Sequence, residues 1–135
     1  MTVASPILVD TSVWVDFFSR SPGVAGAELR RLIADAEPVV LTGIVVTEIL
    51  QGLVRDAKKV EAFLAQWEIL EPQGFAAYVT AAEIFRLARS QGLTLTTVDV
   101  LITALALENQ ATLFTLDRDF ARLAPHVPLK LYWRL

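Results

Sequence analysis

The chain has 135 residues, a formal net charge of −3 and a hydrophobic fraction of 54%, above the ~45–50% of ordinary domains and enough for one sizeable core. Twelve Lys and Arg against fifteen Asp and Glu lack the overall basic footprint of a general nucleic-acid binder. The absence of cysteine excludes disulfides, thiolate catalysis and Cys-rich zinc sites. No apolar run approaches the ~18 residues of a membrane span, and Met1-Thr2-Val3-Ala4-Ser5-Pro6 has no basic region ahead of an apolar one. One cytoplasmic domain over residues 1–135, with no membrane partner, is the expectation.

Short β-rich runs alternate with helical stretches, which predicts an α/β fold: a three-layer sandwich around a mainly parallel sheet. Ile7 to Val9 reads as the first strand, and Ser12 as the N-cap of a helix through Phe18. Pro22-Gly23 breaks the chain before a helix with Leu29, Leu32 and Ile33 on one face. Residues 38–41 form the second strand, 44–54 an apolar helix, 56–66 a helix with Val60, Phe63 and Leu64 inward, and 68–71 a third strand. Ala77, Ala81, Ile84, Phe85 and Ala88 recur at helical spacing over 74–90, and Gly92 ends that helix. Thr96 or Thr97 caps a helix to Asn109, followed by a strand at 113–116, a short helix at 118–124 and a last strand at 129–133.

Four acids interrupt these apolar segments: Asp10 after Ile7-Leu8-Val9, Glu48 inside Ile44-Val45-Val46-Thr47-Glu48-Ile49-Leu50, Asp99 within Val98-Asp99-Val100, and Asp117 after Leu113-Phe114-Thr115-Leu116. A carboxylate beside buried surface costs several kcal/mol unless it is paired, hydrogen-bonded, protonated or bound to metal. In open α/β sheets ligands bind outside the carboxyl ends of the strands, the edge to which Asp10 and Asp117 belong and toward which helix starts project. Asp10, Asp99 and Asp117 equally suit helix caps, and Glu48 equally suits an exposed helical position. Four converging carboxylates repel one another, and a hard divalent cation such as Mg²⁺ or Mn²⁺ relieves that. The single histidine, His126, lies between Pro125 and Pro128 and reads as a surface loop residue. Arg30 with Arg31, and Arg55 with Lys58 and Lys59, are solvated helix faces or phosphate contacts. Val13, Trp14, Phe17 and Phe18 supply core packing or part of a partner groove.

Val9-Asp10-Thr11-Ser12, Thr47-Glu48, Val98-Asp99-Val100-Leu101-Ile102-Thr103-Ala104 and Thr115-Leu116-Asp117-Arg118-Asp119-Phe120 resemble, in order and spacing, the four motifs of PIN-domain ribonucleases. The small size resembles that of the VapC toxins of bacterial toxin–antitoxin modules. The likeness covers essentially the whole chain, with Thr103 standing where Ala is usual. It implies a PIN-like fold and cleavage of a structured RNA, tRNA or ribosomal RNA, by metal-activated water, with translation arrest as the outcome. Asp10, Glu48, Asp99 and Asp117 are the catalytic acids it implies, and Asp10, Asp99 and Asp117 the metal ligands, for Mg²⁺ or Mn²⁺. Thr11, Ser12 and Thr115 match hydroxyl positions that fix the carboxylates, and Asp119 matches a further acid that either joins the site or caps the last helix. A homodimer and a VapB-type antitoxin are the implied partners.

Rival readings are a PIN fold without catalysis, used only to bind RNA or protein, and two phosphoacceptor folds. A receiver domain needs an acidic pair near the first strand and a lysine in a late loop, where this chain has a lone Asp10 and places Lys130 in a strand. A haloacid-dehalogenase phosphatase needs an acid two residues after Asp10, where Ser12 stands.

Overall fold

In the computed structural model, which describes residues 5–133, β1 (Ile7–Val9) leads into α1 (Thr11–Phe18) and α2 (Val24–Ala34). β2 (Val39–Thr42), α3 (Gly43–Gln51), α4 (Ala57–Leu64), β3 (Glu68–Leu70), α5 (Phe75–Ser90) and α6 (Thr97–Glu108) follow. β4 (Thr112–Phe114), α7 (Arg118–Leu123) and β5 (Lys130–Leu131) complete the order. The five strands form one sheet in the order β3-β2-β1-β4-β5, and every pairing is parallel: Leu8 lies between Val40 and Leu113, and Thr112 pairs with Lys130. The sheet is therefore wholly rather than mainly parallel. Right-handed crossovers put α1–α4 on one face and α5–α7 on the other, giving the expected three layers.

The inner strands are apolar on both faces, as a doubly covered parallel sheet requires; Leu8, Val9, Leu41, Leu113 and Phe114 are fully buried. One core gathers the sheet with α1–α4 and takes in Ile102 and Ala106 of α6 and Phe120 of α7 from the other face. A second joins Ala81, Ile84 and Ala88 of α5 to Val100 and Ala104 of α6 and Leu123 of α7. Trp14 is fully buried and packs against Phe17, Phe18, Phe63 and Trp67, so the centre of that aromatic cluster is core, while Phe17 and Phe18 are only partly buried.

Several boundaries differ from the sequence reading, for local reasons. Asp10, not Ser12, stands at the N-cap position of α1, because the Ser12 hydroxyl is engaged across the sheet edge. The third helix stops at Gln51 rather than residue 54: Gly52 ends it, and Val54 is 96% exposed. β5 is shorter than the 129–133 run, since after Leu131 the rings of Tyr132 and Trp133 fold onto Phe114.

Two polar devices tie the first face together. The Asp16 carboxylate, on α1, accepts the backbone N–H groups of Gly23 (3.0 Å) and Gly26 (2.7 Å), satisfying free donors at the start of α2. Arg31 is held by Glu28 at 2.7 Å and Asp35 at 2.9 Å, and Tyr132 donates to Glu28 Oε2 at 2.7 Å. The Arg31 and Tyr132 hydrogen bonds pull the Glu28 carboxyl down to about 2. Arg31 is thereby committed to its own helix and to Tyr132 just beyond β5, while Arg30 lies over the Phe17 ring at 5.8 Å.

Candidate active site

The chain leaves β1 toward β2 on one side and finds β4 on the other, so the edge beyond Val9 and Phe114 is the topological switch point at which α/β sheets take ligands. Asp10 sits there, 7% exposed, with its N–H bonded to the Phe114 carbonyl at 2.8 Å. Its side chain makes no capping hydrogen bond to α1. Instead Oδ2 accepts from the Ser12 hydroxyl at 3.0 Å and the Thr115 hydroxyl at 2.9 Å. Ser12 Oγ in turn accepts the Leu116 N–H at 3.0 Å, and Thr115 Oγ1 the Asp117 N–H at 3.0 Å. The loops after β1 and β4 are thus stitched together around one carboxylate.

Glu48 reaches this edge from α3. Its Oε1 accepts the Thr11 hydroxyl at 2.7 Å, one residue from Asp10. Burial, with a smaller contribution from the Glu48 charge, pushes the Asp10 carboxyl above its ordinary value, while the Thr115 and Ser12 hydroxyls and the Thr11 backbone draw it partly back. That balance is the signature of an acid held in an apolar edge beside a second acid, with too few donors to offset it.

Asp99 lies in the first turn of α6, as expected, whereas Asp117 stands three residues beyond the end of β4 rather than immediately after it, at the N-cap of α7; both serve as caps. Asp117 Oδ1 accepts the Asp119 N–H at 2.9 Å. Asp99 forms a reciprocal capping box with Thr96: Oδ2 takes the Thr96 N–H at 3.0 Å, and the Thr96 hydroxyl takes the Asp99 N–H at 3.1 Å. Thr103 is fully buried, and its hydroxyl closes on the Asp99 carbonyl at 2.8 Å. The Asp119 carboxylate is paired with Arg122 at 2.8 Å. Hydrogen bonding therefore links Asp10, Ser12, Thr115 and Asp117 in one chain and Thr11 with Glu48 beside it, whereas the contacts of Asp99 and Asp119 are local.

The donors suit a hard cation. Asp10, Glu48, Asp99 and Asp117 make no ion pair among the described residues, and the site offers oxygen atoms only. Among the described residues no three acids close on one point as a ready cage. Mg²⁺ does not require one, since it keeps several waters and is commonly held by one or two carboxylates plus substrate phosphate.

Fold and site together define a parallel α/β domain with an acidic, hydroxyl-braced edge at its switch point. The PIN domain family model matches residues 7–125, and Ribonuclease VapC11 of Mycobacterium tuberculosis is 33% identical over 122 residues, 87% of this chain and 91% of the relative. The chain belongs to the PIN-domain family and, within it, to the VapC ribonucleases. Among solved structures it is similar to VapBC2 of Rickettsia felis bound to a DNA fragment from its promoter, with a TM-score of 0.73, 23% identity and coverage of 95% of this chain and 98% of that one. It is likewise similar to DNA-bound VapBC of Salmonella typhimurium, with a TM-score of 0.74, 18% identity and coverage of 95% and 97%.

The sequence reading missed the Asp16 clasp and the Glu28–Arg31–Tyr132 cluster. Neither carries a sequence signal, because the first joins two consecutive helices across a break and the second joins residues 104 positions apart.

Proposed function

We propose that this protein, as a single domain over residues 1–135, is a Mg²⁺- or Mn²⁺-dependent endoribonuclease that acts as the toxin of a toxin–antitoxin pair. Its substrate in this reading is a structured RNA, tRNA or ribosomal RNA, whose cleavage arrests translation. The observation that carries the reading is Asp10: a buried carboxylate beside Glu48 at the switch point of the sheet, braced by two hydroxyls and, among the described residues, paired with no cation. Asp10, Asp99 and Asp117 would hold the ion, with Glu48 beside them. When bound, such an ion polarises a phosphoryl oxygen and lowers the pKa of water. Ser12 and Thr115 keep Asp10 in one rotamer, and Thr11 fixes Glu48 through Oε1, leaving Oε2, which makes no hydrogen bond among the described residues, to take a proton. Asp119, committed to Arg122, orders the first turn of α7 rather than the ion.

A VapB-type antitoxin and a second copy of the chain are the protein partners in this reading. The likeness to VapBC assemblies supports the first.

The test is incubation of purified protein with total tRNA and with ribosomes, followed by sequencing of the RNA ends. Cleavage with Mg²⁺ at defined positions, lost in EDTA and in folded Asp10→Asn and Asp99→Asn proteins, is the expected result. Wild-type activity in either variant, or RNA binding with no cleavage under any divalent ion, would leave the fold as a binding module.

A further inference from the structure

Among the described residues only four polar or charged side chains are buried: Asp10, Thr42, Thr103 and Thr115. A buried hydroxyl costs free energy unless it is bonded, so the partner of each one is informative. Thr115 braces Asp10 at 2.9 Å. Thr42 accepts the Val45 N–H at 3.2 Å at the start of α3, the helix that carries Glu48. Thr103 donates to the Asp99 carbonyl at 2.8 Å. Each of the three hydroxyls is thus committed to a segment that bears one acid.

Thr103 is the least expected of them. It is the one polar side chain in Val100-Leu101-Ile102-Thr103-Ala104-Leu105-Ala106-Leu107, where alanine would leave no polar group to satisfy. Its place on α6 explains it. Ile102 and Ala106 join the core of the sheet, whereas Val100 and Ala104 join that of α5. At about 100° per residue, Asp99 and Thr103 fall beside Ile102 and Ala106, one turn apart on the sheet side. α6 feeds β4 through residues 109–111, so its last turn lies at the start of that strand and its first turn, with Asp99, toward the carboxyl edge.

Asp99 is bonded at every polar atom but one. Its N–H goes to Thr96 Oγ1, its carbonyl takes the Thr103 hydroxyl and its Oδ2 takes the Thr96 N–H. Oδ1 makes no hydrogen bond among the described residues. Glu48 Oε2 and Asp117 Oδ2 are open in the same way, beside an Oε1 held by Thr11 and an Oδ1 held by the Asp119 N–H. Acids that fix one oxygen and present the other suit a ligand from outside the chain.

We propose that Thr103 is a positioning residue: its hydroxyl anchors the Asp99 carbonyl to the second turn of α6 and so sets where Oδ1 meets a divalent cation. The inference rests on the endoribonuclease reading and adds to it the residue that places this acid. A hydroxyl on the carbonyl one turn back bends a helix and slightly weakens it. The bond therefore has a geometric effect that stability does not require.

Uptake of Mn²⁺ by RNA-free protein is followed through the EPR signal of the free ion, with the melting temperature in EDTA measured alongside. Thr103→Val keeps the branched shape without the donor; it should bind Mn²⁺ about tenfold more weakly and melt no lower than wild type. Thr103→Ala, the smaller replacement, should lose the same affinity. Thr103→Ser keeps the hydroxyl and loses the methyl, so it should melt lower yet bind Mn²⁺ as wild type. In cleavage assays Thr103→Val should raise the Mg²⁺ needed for half-maximal rate by the same factor, with KM for RNA unchanged. Wild-type Mn²⁺ affinity in Thr103→Val or Thr103→Ala, or an equal loss in Thr103→Ser, overturns the positioning role and leaves the nuclease reading intact. A folded wild type that takes up no Mn²⁺ and cleaves no RNA overturns both.

Discussion

The Thr11 hydroxyl donates to Glu48 Oε1 at 2.7 Å, joining the first residue of α1 to α3 next to the residue that carries the buried acid. One bond thus fixes Glu48 relative to Asp10 although the two arrive on different crossovers. Outer groups that position the acids around a metal site typically change metal affinity or activity by about 10–100-fold when removed. Thr11→Val keeps the shape and deletes the donor. It should raise the Mg²⁺ needed for half-maximal cleavage about tenfold while moving the melting temperature little. An unaltered Mg²⁺ dependence would mean that Glu48 is placed by its helix alone.

Asp10 should make the metal-free protein less stable as pH rises. Its folded-state carboxyl lies above the ordinary value of 3.8, mainly through burial. Its contribution is therefore fully present below about pH 3.8 and lost as pH climbs through the folded value. In EDTA, Asp10→Asn should melt higher than wild type near neutral pH, and the gap should shrink as pH falls toward 4. A variant that melts lower at every pH would show that the carboxylate is a net structural support.

Gly26 is held to its identity by the clasp of Asp16. A Cβ at this position would stand 2.9 Å from Asp16 Oδ2 and 2.9 Å from the Phe17 backbone nitrogen, and the second of these cannot swing aside. Gly26→Ala should cost about 1–3 kcal/mol through overpacking, a fall of roughly 4 °C per kcal/mol for a domain of this size, despite the better helix propensity of Ala. Denaturant unfolding with no change in midpoint would refute the close packing of α1 on α2.

Ala36 closes α2 in a left-handed conformation, φ 54°, with its N–H on the Ile33 carbonyl and the Glu37 N–H on the Leu32 carbonyl. This is a helix-terminating turn in which glycine is the usual residue. The left-handed strain of about 1–2 kcal/mol exceeds the extra chain entropy of Gly, about 0.5–1 kcal/mol, so Ala36→Gly should raise the melting temperature by a few degrees. A lower melting temperature would place the entropy term above the strain.

The parallel sheet was legible because its central strands, such as Val39-Val40-Leu41, are short β-branched runs between helical repeats, a local pattern. Asp10 was legible as an acid in the wrong company, and the structure separates it from the caps it resembled: it makes no cap, while Asp99 and Asp117 do. That difference depends on whether a side chain turns back to its own helix or across to Ser12 and Thr115, and residue type does not encode the choice. Element ends were misread where a side chain served a distant partner, as Ser12 does. Arg31 looked like free positive charge because its partners, one helical turn away on either side and just beyond the last strand, emerge only once the helix and sheet exist.

Thr115 lies 105 positions after the Asp10 it braces, and β1, the first strand made, is the middle strand of the sheet. During synthesis, which proceeds from the N-terminus, β1 can pair with β2 early, but its other edge stays open until β4 leaves the ribosome. The acidic edge is therefore among the last parts of the molecule to exist. A nascent chain of this protein passes nearly its whole synthesis before Thr115 can brace Asp10, so the acidic edge takes shape only as the domain is completed.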